Sequence, residues 1–352
     1  LFESGCAFVF GIMRFVNLGH GDVIVMGGYL SLLLVTMTGL SPFIAAAIAI
    51  PFMCALGFGL QKFMLNRVLG DDILPPLLVT FGLSVVLQNA LLEGFSADSQ
   101  RLPTGALSTA SVEVGGINLG VLPLLTFGSA VLVIVALNQI FYRTELGRAF
   151  RATSDDATTA SLMGIKPANI FAMATGIALI IVTIAALYLG MRANFDPNIG
   201  PARLIYAFEA VIIGGLGSLW GTLLGGIIIG VAQTVGAAIN PEWQILAGHI
   251  AFLVVLLIHP RGLFPRAVDS GSMMTDHTIP YAVHTGTPVS RIVGIAALIL
   301  ILFLVALPAF ASRSLIQDMF FILTMLVLAQ FWNLLAGYGG LVSIGQQAFV
   351  GI

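Results

Sequence analysis

The chain has 352 residues, 58% of them hydrophobic and only 9% charged, with a mean hydropathy of +1.04. Soluble domains carry about 25% charged residues, so a water-soluble globular fold is excluded. The net charge of −2 carries little information, because the charges are sorted along the chain.

Charge-free stretches of membrane-spanning length recur at Val23–Leu40, Phe43–Gln61, Ile73–Leu92, Val114–Tyr142, Pro167–Met191, Ala210–Pro241, Trp243–Pro260, Ile292–Ser312 and Met319–Ile352. A helix needs roughly 20 apolar residues to cross the bilayer core, and the two longest stretches have room for two elements each, so about ten or eleven crossings are expected. The predicted fold is all-α: a polytopic transmembrane helical bundle with broken helices and parallel pseudo-repeats. Cys6 and Cys54 are the only cysteines, both in apolar runs, and read as packing residues. No metal-ligand spacing occurs, and neither a metal nor a cofactor is expected.

The first interruption is Val16-Asn17-Leu18-Gly19-His20-Gly21-Asp22-Val23, where glycine and polar residues break an apolar run. A diverged copy closes the chain, Val342-Ser343-Ile344-Gly345-Gln346-Gln347-Ala348-Phe349. Breaks at corresponding positions of two halves point to a transport pathway. Such a break frees backbone groups for a ligand, water or a neighbouring helix, and an exposed helix N-terminus favours a carboxylate. The candidate pathway residues are Asn17, Gly19, His20, Gly21, Asp22, Ser343, Gly345, Gln346 and Gln347. Each could instead knit helices together or form a turn. For Asp22 an N-cap of the following span is preferred over a pathway acid.

Basic residues sort the loops. Lys62, Arg67, Arg143, Arg148, Arg151, Lys166, Arg261 and Arg266 fall in alternate loops, which the positive-inside rule assigns to the cytoplasm. The polar loop from about Phe95 to Asn118 is then external. Gln88 and Asn89 before it are expected to hydrogen-bond between helices. Within the internal loop, Ser154 or Asp155 is predicted to cap a short helix over Ala157–Met163, ended by Gly164 with Pro167 close behind. A short amphipathic helix projecting from the membrane suits docking into a groove on a partner. Arg148, Arg151, Asp155, Asp156, Ala160 and Gly164 are its candidate residues.

Farther on, Ala207–Gly217 and Thr222–Ile239 are predicted to form a tight helix pair, because Gly214, Gly215, Gly217, Gly221, Gly225, Gly226 and Gly230 let backbones approach closely. Glu209 is placed at the interface, and the sequence does not choose between lipid, a neighbouring helix and a cavity for His249. The polar, turn-rich segment 267–290 reads as a cytoplasmic linker between halves 1–266 and 291–352. Met273-Met274 within it is a conjectural join of two once-separate subunits. The chain opens on Leu1 and closes inside its second copy, so a piece of a longer protein is expected.

The phrase Phe10-Gly11-Ile12-Met13-Arg14-Phe15-Val16-Asn17-Leu18-Gly19-His20-Gly21-Asp22 closely resembles the start of the permeases of branched-chain amino acid ABC transporters. The phrase Asn333-Leu334-Leu335-Ala336-Gly337-Tyr338-Gly339-Gly340, with its continuation through Phe349, resembles the start of the companion permease. By this resemblance residues 1–266 correspond to nearly all of the first subunit and residues from 291 to the beginning of the second. Ala160-Ser161-Leu162-Met163-Gly164-Ile165 more loosely resembles the coupling loop of ABC importer permeases. The resemblance implies a multi-pass protein of a bacterial inner membrane that works by alternating access. Its implied partners are two ATP-binding-cassette ATPase subunits, a periplasmic substrate-binding protein, the remainder of the second permease half and the lipid bilayer; nucleic acid is not among them. The only lysines, Lys62 and Lys166, lie outside any phosphate-binding loop, so ATP hydrolysis is expected on separate chains and no catalytic residue is expected here. Transporters built on this plan carry leucine, isoleucine and valine, other amino acids, amides or urea. The competing classes are an ion-coupled secondary transporter, which would draw on Asp22 and Glu209, and a membrane enzyme, for which His20, Asp22 and His249 form no recognisable constellation.

Overall fold

The structure, a computed structural model, describes residues 1–13, 17–70, 74–260 and 262–264, with isolated positions between 292 and 330. The chain divides into two units, Leu1–Asp269 and Ser270–Ile352. The linker 267–290, Met273-Met274, Arg14, Arg261 and Arg266, and the second copy with Ser343, Gly345, Gln346 and Gln347 lie outside the described residues.

The first unit is a helical membrane bundle. Its helices are α1 (Phe2–Met13), α2 (His20–Thr38), α3 (Pro42–Phe63), α4 (Leu74–Phe95), α5 (Val121–Arg143), α6 (Glu145–Asp155), α7 (Ala157–Leu162), α8 (Pro167–Arg192), α9 (Gly200–Gly214), α10 (Leu219–Ile239) and α11 (Trp243–Ile258). Among the described residues, six helices are long and apolar enough to cross a membrane: α2, α3 with the turn that follows it, α4, α5, α8 and α10. The shorter α1 and α11 are also apolar. As expected, the stretch Ala210–Pro241 holds two elements.

At the centre stands α8, buried on nearly every side. Its small residues let neighbours come close: Gly176 faces the Cys54 carbonyl of α3, and Gly57 of α3 faces Leu179. This is the close packing that lipid, giving no hydrophobic drive between helices, demands. Both cysteines are free, as read from their surroundings. Around α8, Val25, Tyr29, Met53, Val182, Ala186, Phe195 and Ala207 form the main core. By contrast α4, α5 and α10 leave broad apolar faces exposed, among them Phe81, Val86, Leu132 and Val231.

The charge-free stretch from Val114 overlaps the polar loop of about Phe95 to Asn118, and its first residues belong to that loop. Ser111–Val114 and Ile117–Gly120 pair as antiparallel strands β1 and β2, with Ser111 opposite Gly120. Gly115 and Gly116 turn the hairpin at φ +61° and +82°, the left-handed values a two-residue turn requires. The span begins only at Val121. The preceding chain is strapped to the end of α8: Gln100 and Phe195 exchange backbone hydrogen bonds, and the Leu102 amide donates to the Gly190 carbonyl at 2.9 Å.

Candidate functional site

Two features of the bundle match the residues singled out by sequence. The first is the break between α1 and α2. The Gly19 amide donates to the Asn17 side chain at 3.0 Å, the His20 amide to the Asn17 carbonyl at 3.3 Å, and the Leu18 amide to Thr80 Oγ1 of α4 at 3.2 Å. Asn17 thus closes a local turn, and α2 restarts at His20. The restart lies deep in the bundle. A Cβ on Gly5 of α1 would lie 3.3 Å from both His20 Nε2 and Val182 Cγ2, which places His20 level with the middle of α8.

The N-terminus of α9 reaches the same depth. Gly21 packs on Gly200 so closely that a Cβ on Gly21 would lie 2.3 Å from the Gly200 carbonyl oxygen. Two helix N-termini therefore meet at mid-bundle, and their positive dipole ends call for a negative group. The protein supplies one itself. Asp22 is fully buried, one oxygen accepting a hydrogen bond from Ser84 of α4, the other lying against Gly200. This corrects the expected N-cap: Gly19 precedes the helix, and Asp22 reaches across to α4 from its first turn. Gln88 donates to Ser84 Oγ at 3.1 Å and also bonds to the Asp22 side chain of α2, an interhelical contact as expected, whereas Asn89 donates within α4 to the Val85 carbonyl at 2.8 Å. His20, stacked on Phe2 with centroids 5.4 Å apart, has a buried Nε2 with no hydrogen-bond partner among the described residues, and the second Asp22 oxygen is likewise bare. Of the predicted pathway set, Asn17, Gly19, His20, Gly21 and Asp22 are thus brought together.

The second feature is the elbow made by α6 and α7 at the basic end of the bundle. Thr144 caps α6 by accepting from the Gly147 amide at 3.0 Å, and Gly147 lies directly on the Ile140 and Phe141 carbonyls, where a Cβ would come within 2.2 Å. Arg151 donates to the Phe141 carbonyl and lies over the Phe141 and Tyr142 rings at 5.8 and 5.4 Å. Phe150 is fully buried, its ring edge-on to Phe8 of α1 at 5.5 Å, and Ser154 Oγ donates to the Gly11 carbonyl at 2.8 Å. Arg148 makes only an exposed ion pair with Glu145 at 3.3 Å. A cavity of about 120 Å³ between α1, α5 and the α9–α10 turn, lined by Gly11, Asn138, Tyr142 and Trp220 among others, adjoins this joint.

The cap of α7 falls one residue later than expected. Ser154 and Asp155 belong to the end of α6, and Asp156 caps α7, accepting from the Thr158 and Thr159 amides at 2.8 and 3.0 Å and from the Thr159 hydroxyl. Those bonds hold the Asp156 carboxyl below the usual carboxylate range, the Thr159 hydroxyl contributing most. Gly164 ends the helix as predicted, at φ +85°, and the Ile165 amide closes back on the Ala160 carbonyl at 3.1 Å. Ala160 is buried, whereas Leu162 and Met163 at the tip are 82% and 79% exposed.

A third polar contact was missed by sequence reasoning. Glu209, expected at the membrane interface, is buried within the protein and bonds through Oε1 to His249 Nδ1 of α11. The two residues lie 40 positions apart, so only an intramembrane acid and an intramembrane histidine on neighbouring spans could have signalled the pair.

No solved structure matches this chain. Three curated relatives are informative. The high-affinity branched-chain amino acid transport system permease protein BraD of Pseudomonas aeruginosa is 30% identical, covering 76% of this chain and 91% of BraD. LivH of Escherichia coli, which bears the same description, is 28% identical over the same shares. The fructose import permease FrcC of Rhizobium meliloti is 28% identical over 60% of this chain and 61% of its own length. A family model described as the permease component of branched-chain amino acid transport systems matches residues 2–259. With the membrane-spanning bundle, that match settles the kinship: this chain belongs to the branched-chain amino acid transport permease family.

Proposed function

We propose that this protein is the membrane-spanning part of an ATP-binding-cassette importer that moves branched-chain amino acids, or related amino acids, amides or urea, across a bacterial inner membrane by alternating access. The observation that carries the reading is the elbow at α6–α7. It is fixed to the bundle by Phe150, Arg151 and Ser154, and it presents Leu162 and Met163 to solvent on a basic end of the protein. Large apolar side chains held out on a rigid capped helix favour a partner groove over free solvent. Two separate ATPase subunits would take that surface, placing the basic end in the cytoplasm. A periplasmic binding protein would deliver substrate at the opposite end, where the β1–β2 hairpin lies.

The meeting of the α2 and α9 N-termini at mid-bundle supports a pathway there, since broken helices in transporters line the route of the cargo. Asn17, Gly19, His20, Gly21 and Asp22 are its wall in this half.

The test is substrate-stimulated ATP hydrolysis in proteoliposomes holding the full permease, its ATPases and its binding protein, with leucine, valine and urea compared. Stimulation by one loaded binding protein would establish the importer and its substrate class. The runner-up, an ion-coupled secondary transporter, draws on the burial of Asp22 and Glu209, and uptake driven by an ion gradient without ATP would select it.

A further inference from the structure

Tyr206 and Glu209 stand three residues apart on α9 and both meet His249 of α11. Glu209 Oε1 bonds to His249 Nδ1, and the Tyr206 ring lies parallel to the imidazole, centroids 5.6 Å apart and planes 8° apart. Gln233 of α10 borders the cluster: a Cβ on Gly248, next to His249, would lie 3.1 Å from Gln233 Nε2. Neither α10 nor α11 carries a lysine, arginine or carboxylate. The nearest arginine on α9 is Arg203, six residues and so about 9 Å of helix rise away.

Glu209 Oε2 is buried and has no hydrogen-bond partner among the described residues. A carboxylate oxygen left bare among apolar helices is costly unless a positive donor meets it. A structural clamp between α9 and α11 needs only one oxygen, so it does not account for the second. The His249 side chain remains 37% exposed, so one edge of the cluster is open. A compact cation with several N–H donors would satisfy that bare oxygen.

We propose that the free oxygen of Glu209, whose other oxygen is held by a His249 ring stacked on Tyr206, binds the ammonium group of the transported amino acid on its way through the bundle. This rests on the amino acid importer reading given above. It assigns the acid to the cargo rather than to ion coupling.

The test uses the complete reconstituted transporter and L-leucine, counted as leucine taken up per ATP hydrolysed. Glu209→Gln keeps a hydrogen bond to His249 but removes the charge. It is expected to lower that ratio about tenfold or more, with the melting temperature of the complex unchanged. His249→Gln keeps the carboxylate and is expected to lose only a few-fold. Wild-type coupling in Glu209→Gln overturns the ammonium station alone. An equal fall in both variants, together with a lowered melting temperature, identifies a clamp and also overturns it. If the unaltered transporter moves a neutral amide but not leucine, the amino acid reading and the station fail together.

Discussion

Gly21 and Gly200 bring the backbones of two helix N-termini into contact: a Cβ on Gly21 would lie 2.3 Å from the Gly200 carbonyl oxygen and 2.9 Å from Leu204 Cβ. No rotamer relieves a clash made by Cβ itself. The crossing of α2 and α9 at mid-bundle depends on glycine at both positions, because a Cβ on Gly200 would in turn strike the Asp22 carboxylate.

Gly21→Ala is therefore expected to destabilise the bundle by about 1–3 kcal/mol and to remove most transport. Thermal unfolding in detergent and uptake in proteoliposomes would measure both. A variant as stable and active as the wild type would show that the crossing can open freely.

Gly19 is a milder case, its Cβ position 3.2 Å from the Thr80 carbonyl oxygen. Gly19→Ala should be tolerated to within about 1 kcal/mol, whereas Gly19→Leu should impair transport by forcing α4 away from the turn. Full activity in the leucine variant would reduce the break to a simple turn.

At the tip of α7, Gly164 has open space around it but sits at φ +85°. Gly164→Val strains the backbone by roughly 1–2 kcal/mol without a steric clash. The expected outcome is normal membrane insertion with loss of ATP-coupled uptake, and Gly164→Asn should retain more activity because asparagine tolerates this conformation. Normal uptake in the valine variant would remove the docking assignment.

Leu162→Ser and Met163→Ser should leave the melting temperature unchanged, because both side chains already face solvent. They should weaken co-purification of the ATPase subunits, about tenfold for the pair together. Unchanged co-purification would place the ATPase contact elsewhere on the basic end.

The Asp156 cap gives a pH dependence with a definite sign. Its carboxyl titrates lower in the folded protein than in the unfolded chain, so the cap contributes fully above the ordinary carboxylate range and is lost as pH falls through the depressed folded value. Hydrogen exchange at the Thr158 and Thr159 amides should be insensitive to pH-driven uncapping near neutrality, and Asp156→Ala should expose both amides at every pH. Protection unchanged in that variant would mean the helix is held by Gly164 alone.

Much of this architecture is written in the chain at short range. Hydrophobic length placed the long helices, and the glycines around 214–225 announced the α9–α10 contact, where a Cβ on Gly225 would lie 2.0 Å from the Ala210 carbonyl oxygen. The break at Asn17–Asp22 was legible because glycine and polar residues interrupt an apolar run. Its depth was not, since only packing against Gly5 and Gly200 fixes it. The partner of Glu209 was not legible for a similar reason: nearness to a span end says nothing about a residue on α11. The loop ending at about Asn118 was legible from its polar residues, but the hairpin inside it was not, because β1, β2 and the following span share apolar residues.

The glycine seam between α9 and α10 has one more consequence. Gly214 and Gly221 sit backbone on backbone, and the turn between them brings Gly217 to within 3.4 Å of where a Gly11 Cβ would lie. Helices locked this closely cannot slide on each other, so the pair behaves as one stiff lever. Its lower end rests on α1 beside the α6 joint, and its upper end bears on α2 at Gly21. In the importer proposed above, a push delivered at the elbow would be carried along this pair to the mid-depth crossing.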